Sequence, residues 1–166
     1  IDGWISKEVG ASSTGWAQYK DGQYTSANPL VINEGDTRVI NNDSSTIINS
    51  HIPSGVTSLY DNVTSKITPE NVGDAYNIRI DFKASNNSTN GLINLQLDIG
   101  GSLGVILENT LVFKKGSNIE HRFSITNSIY ALDTFINNGG LVKINSDVGN
   151  TSIYDINYVI TRTHKA

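Results

Sequence analysis

Residues 75–101, AYNIRIDFKASNNSTNGLINLQLDIGG, constrain the fold more than any other stretch of the chain. Tyr76, Ile78, Ile80, Phe82 and Ala84 alternate with Asn77, Arg79, Asp81 and Lys83, which is the period of a strand with one dry face and one wet face. Ile93, Leu95, Leu97 and Ile99 repeat the pattern against Asn94, Gln96 and Asp98. The polar connection between the two runs closes on Asn90-Gly91, a turn-forming pair, and predicts an antiparallel hairpin. Each fully buried Leu, Ile or Phe contributes roughly 1.5–3 kcal/mol. That contribution is realised only if a second sheet covers the dry face.

The rest of the chain reads the same way. Thr14–Ser26 carries Trp16, Tyr19 and Tyr24 around the turn pair Asp21-Gly22 and predicts a second, short hairpin. Pro29 opens PLVIN, and Glu34-Gly35-Asp36 turns the chain into TRVIN. Residues 46–72 hold only short apolar pieces between Pro53, Gly55 and Pro69, the pattern of a long connection with brief edge strands. Val105, Leu107, Leu111 and Phe113 share one parity, and His121, Phe123 and Ile125 continue the next strand. SIYALDTFINNGG, at 128–140, breaks strict alternation and fits a bulged strand or a single helical turn before Asn138-Gly139, the strand being favoured. Tyr154, Ile156, Tyr158 and Ile160 alternate in the last strand. With no helical period longer than a turn and no fixed repeat, the expected fold is an all-β sandwich or jelly roll of eight to ten antiparallel strands.

At 166 residues the chain fits one domain, expected over 14–166, with residues 1–13 a linker from a preceding segment. Because it starts at Ile1 and contains no Met, it is read as a piece of a longer protein. Twelve basic and 16 acidic residues give a net charge of −4 with no basic block, which argues against a nucleic-acid partner. No apolar run is long enough for membrane insertion. The chain has no Cys, so disulfides, thiolate metal sites and a cysteine nucleophile are excluded.

No residue cluster declares a chemistry. His51, His121 and His164 lie far apart and match no two-histidine metal motif, and no G-x-S-x-G elbow or D-x-D-x-D-G loop occurs. The expectation is therefore no enzyme, no metal and no cofactor. Most aromatics share strand parity with Ile and Leu and are expected in the core or at an interface. Tyr60, beside Asp61 and Asn62 in the poorly patterned region, is expected to be exposed.

If the strands at 76–84, 93–99, 105–113 and 120–126 run successively antiparallel, the connections 85–91 and 114–118 meet at one end and 100–104 lies at the other. Asn86, Asn87, Ser88, Asn90, Lys114, Lys115, Ser117 and Asn118 then form a polar tip, and loops on a rigid sandwich are where recognition usually sits. Together with Tyr60 they are the candidate ligand-binding residues.

TGWAQYKDGQYTSANPLVINEGDTRVINND at 14–43, ITPENVGDAYNIRIDFKA at 67–84 and YALDTFINNGGLVKINSDVGNTSIYDINYVITR at 130–162 resemble the C-terminal head domains of phage tail-fibre, spike and head-fibre proteins. Such heads are similar to the jelly rolls of the tumour-necrosis-factor and C1q group. The resemblance implies a homotrimer on a virion, either attaching to a host-surface receptor or decorating the capsid, and it transfers no site residues. The competing reading is a monomeric carbohydrate-binding module of lectin type, which the neutral, hydrogen-bonding surface and the aromatics would suit.

Overall fold

A computed structural model describes residues 12–166. The strands are β1 (Gly15–Lys20), β2 (Leu30–Ile32), β3 (Thr37–Val39), β4 (Thr46–Ile48), β5 (Tyr60–Asp61), β6 (Lys66–Ile67), β7 (Ala75–Asn86), β8 (Leu92–Asp98), β9 (Val105–Val112), β10 (His121–Tyr130), β11 (Gly140–Val148) and β12 (Thr151–His164), with one short helix, α1 (Asp133–Asn138). They form two antiparallel six-stranded sheets. One has the order β10-β7-β12-β1-β4, with β2 also on β12; the other has the order β5-β6-β11-β8-β9, with β3 also on β11. The protein is a TNF-like β-sandwich jelly roll. Five of the strands are only two or three residues long, and three of these, β4, β5 and β6, come from the poorly patterned stretch 46–72 and carry the number past eight to ten.

The alternating parities are the core. Tyr76, Ile78, Ile80, Phe82 and Ala84 of β7 pack with Ile93, Leu95 and Leu97 of β8, Val142 and Ile144 of β11, and Ile156, Tyr158 and Ile160 of β12. The expected hairpin does not form, however. β7 pairs with β10 and β12, whereas β8 pairs with β11 and β9. The connection through Asn90-Gly91 crosses between the sheets, so the two dry faces meet across the core rather than side by side. The hairpin predicted around Asp21-Gly22 is also absent: β1 lies between β12 and β4. Its turn is instead held by Asp21, whose carboxylate accepts from the N–H groups of Tyr24 and Asp43.

Of the two readings of the segment before Gly139, the single helical turn is the one that forms, as α1, and not the favoured bulged strand. Leu132 is extended, Phe135 is driven into the core, and Gly139 at φ 69° stops the helix with its N–H on Phe135 O. One buried aromatic on a single turn gives no period to detect. Leu111 on β9 and Phe113 just after it are buried as expected, but Val105 is exposed because a register irregularity near Leu97 and Asp98 turns the start of the strand outward. The linker expected over 1–13 lies outside the described residues except for Ser12 and Ser13. The carbonyl of Ser12 accepts from Ser54 N–H, and that of Ser13 from Arg162 Nε.

Candidate functional site

The two loops expected to meet do meet. Asn118 N–H donates to Asn86 O at 2.6 Å and Gly116 N–H to Thr89 O at 3.2 Å, so 85–91 and 114–118 share one end of the sandwich. Gly100 and Gly104 turn the chain at the opposite end, both in the left-handed region. Asn87, Asn90, Lys114, Lys115, Ser117 and Asn118 are exposed on this tip, and Ser88 is half-buried.

Asn86 is not available to a ligand. It is buried, its amide donates to Val148 O at 2.8 Å and to Thr151 Oγ1 at 2.9 Å, and its Oδ1 accepts from Ser88 N–H. Asn87 Oδ1 in turn accepts from Asn150 N–H. Asn86 and Asn87 therefore tie the end of β7 to the β11–β12 turn, an internal use for side chains that the sequence presents as a binding tip.

Tyr60 corrects the sequence reading most sharply. It is 4% exposed, edge-on to Tyr158 and tilted against Tyr19 with ring centroids 5.3 and 5.5 Å away. Its hydroxyl accepts from Asn42 N–H, and burial pushes its pKa up. The two-residue β5 holds it inward, and a strand that short leaves no alternation to read.

The exposed apolar surface lies elsewhere. β9 and β10 are consecutive in the chain but form the free edges of different sheets. Where those edges face each other, a groove of about 280 Å³ is walled by Ile99, Leu103, Ile106, Tyr130, Leu132 and Phe135. Tyr130 is 68%, Leu103 58% and Leu132 54% exposed. Tyr130 was legible as an outward residue: Phe123, Ile125 and Ile129 set the dry parity of β10, and Tyr130 falls on the other. A second apolar patch lies at the far edge of the same sheet, where β4 leaves Ile47 and Ile48 exposed. Close by, Trp16 of β1 stacks on His51 at a centroid distance of 5.1 Å.

Among the described residues no three His, Asp or Glu side chains cluster as metal ligands, and no helix is long and apolar enough to cross a membrane. The shortest ion pair among the described residues joins Lys143 Nζ to Asp98 Oδ2 at 2.6 Å. That bond, with the Gly100 N–H, holds the Asp98 carboxyl below its usual range.

No protein-family model and no curated protein matches the chain. Among solved structures it is similar to the Eiger TNF of S. frugiperda, with a TM-score of 0.57 and 10% identity over 93% of this chain and 95% of that one. It also superposes on the PRD1 vertex protein P5, with a TM-score of 0.49 and 15% identity over 92% of this chain and 74% of that one. A CBM4 structure follows, at a TM-score of 0.39 and 17% identity over 92% of each chain. The latter two superpose too loosely to establish a shared topology. The first is a likeness of fold.

Proposed function

We propose that the protein is a non-enzymatic structural head of a virion, a fibre tip or capsid decoration that assembles as a homotrimer. The observation that carries the assembly is the pair of separate apolar patches, Leu103, Ile106, Tyr130 and Leu132 where the edges of β9 and β10 face each other, and Ile47 and Ile48 beside half-buried Trp16 at the β4 edge of the first sheet. Single exposed apolar residues are ordinary on a protein surface, but clustered ones rimmed by polar groups mark contact sites. A cyclic trimer uses a heterologous interface, in which one patch of each subunit meets a different patch of the next. Two unlike apolar edges on one chain meet that requirement. Docking would also cover the free hydrogen-bonding edges of β9 and β10, which otherwise invite uncontrolled strand pairing.

The jelly-roll fold shared with a TNF protein and the resemblance of residues 14–162 to phage fibre heads support the virion reading. Adhesion to a host receptor and decoration of a capsid are the two roles such a head would serve, on the outer surface of the particle.

Light scattering after gel filtration tests the assembly. The expected mass is about 54 kDa, three times the 18.0 kDa chain. The double variant Tyr130→Ser, Leu132→Ser is expected to run as a folded monomer. A wild-type mass of about 18 kDa would overturn the trimer and favour the carbohydrate-binding module.

A further inference from the structure

A second groove, of about 290 Å³, lies on the solvent face of the first sheet, midway between the two apolar edges and independent of them. Its floor is a cross-strand row set by register: Lys20 stands opposite Asn157, Asn157 opposite Asp81, and Asp81 opposite Ser124. Gln18, Lys83, Arg122 and Asp155 complete the walls. At Asp155 the backbone of β12 bulges into the left-handed region, at φ 52°, and the Asp155 carboxylate pairs with Lys83 at 3.2 Å.

Asp81 is the unusual member. Although it points away from the apolar core, it is only 5% exposed. All its donors converge on one oxygen: Arg79 Nε at 3.2 Å, Arg79 Nη2 at 3.1 Å and Asn157 Nδ2 at 3.2 Å all reach Oδ2. Asp81 Oδ1 and Asn157 Oδ1 are both buried without a donor. An ionised carboxylate only accepts hydrogen bonds, and a buried acceptor left unpaired costs free energy, so two neighbouring ones closed to solvent favour donors from outside the chain once the side chains over them move aside. Lys20 and Arg122, on the same walls, supply cationic donors on stems with several rotatable bonds.

We propose that this groove binds an acidic sugar residue, with hydroxyls donating to Asp81 Oδ1 and Asn157 Oδ1 and a carboxylate received by Arg122 and Lys20. The two oxygens ask for donors and the two cations ask for an anion. A bare sulfate supplies nothing to the acceptors, and any small inorganic anion meets the charges of Asp81 and Asp155. A neutral sugar leaves the cations unused. Lys20 and Asp81 sit two strand spacings apart, roughly 9.5 Å between backbones, a span that one hexose and its substituents bridge. Gln18 adds a side chain that both donates and accepts beside the row.

The test is an amide-shift NMR titration of the intact chain with glucuronate, glucose and acetate as separate probes. Glucuronate is expected to shift residues 18, 20, 81, 122 and 157 saturably, and to bind at least about tenfold more tightly than glucose or acetate, about one order of magnitude being the worth of one good charge-assisted contact. Arg122→Gln is expected to reduce glucuronate to the level of glucose, and Asp81→Asn to reduce it to the level of acetate. Gln18→Ala gives the same reading at smaller amplitude should Asp81→Asn fail to fold. Equal binding of acetate and glucuronate would overturn the hydroxyl contacts, equal binding of glucose and glucuronate would overturn the carboxylate contact, and no saturable shift in the groove would overturn the site. None of these outcomes depends on the mass of the assembly, so this inference and the trimer fail separately.

Discussion

The two ends of the sandwich are built by the same strands and put their side chains to opposite uses. At the end formed by 85–91 and 114–118, the polar groups where β7 ends are engaged within the chain: Asn86 with Val148 and Thr151, Asn87 with Asn150, and the Asn118 N–H with the Asn86 carbonyl. At the end formed by 99–107 and 129–135, apolar groups are largely unengaged, and Tyr130, Leu103 and Leu132 stand in solvent around a groove. A polar loop cluster in the sequence invites a binding reading. In the fold, the end that still has surface to cover is the apolar one.

Substitution at the polar end gives the largest effect on stability. Asn86→Ala removes two donated hydrogen bonds and leaves the Val148 carbonyl and the Thr151 hydroxyl short of a donor in a buried site. The expected loss is about 3 kcal/mol, on the order of 10 °C in Tm, read by thermal unfolding. An unchanged Tm would mean that Asn86 is not a structural knot and would restore the tip as a ligand surface.

A smaller effect belongs to the apolar end, where the Asp98–Lys143 pair sits beside the groove. The folded state holds the Asp98 pKa below its unfolded value near 3.8, so the pair's contribution is fully present above that value and is lost as the pH falls through the lower folded one. Both side chains are largely covered, and the contribution is about 1 kcal/mol. Denaturant unfolding from pH 6 to pH 2 is expected to show Asp98→Asn less stable than the wild type at pH 6, with the gap closing below about pH 4. A gap that stays constant across this range would show that the charge is not what matters.

The smallest effect is expected from Lys114→Ala with Lys115→Ala. These exposed side chains make no ion pair among the described residues, so stability should change by less than about 0.5 kcal/mol and the mass in solution should not change. A shift in mass would move the assembly surface to the polar end and reverse the comparison.

Of the candidate sites, the sequence located the polar tip through strand count alone, since antiparallel succession fixes which loops share an end. It misplaced Tyr60, because a residue beside Asp61 and Asn62 in an unpatterned stretch looks wet, whereas a two-residue strand carries it under Tyr158. It also passed over the groove around Asp81. Within β7, Asp81 reads as one more polar residue on the wet parity, and what sets it apart is its alignment with Asn157 and Lys20, strands distant in sequence that register brings into one row.

The sequence by itself determined which stretches are strands and which face of each is dry, because side-chain direction alternates with every residue of an extended backbone and needs no partner to do so. Tyr76 to Ala84 and Ile93 to Ile99 are buried for that reason. Which strand lies beside which was decided only by tertiary structure. Hydrogen-bonded ladders are made by backbone groups that are the same at every residue, so β7 could not announce that its neighbours are β10 and β12 rather than β8. Packing two dry faces against each other settled the choice, and with it the burial of Tyr60 and the row that runs through Asp81.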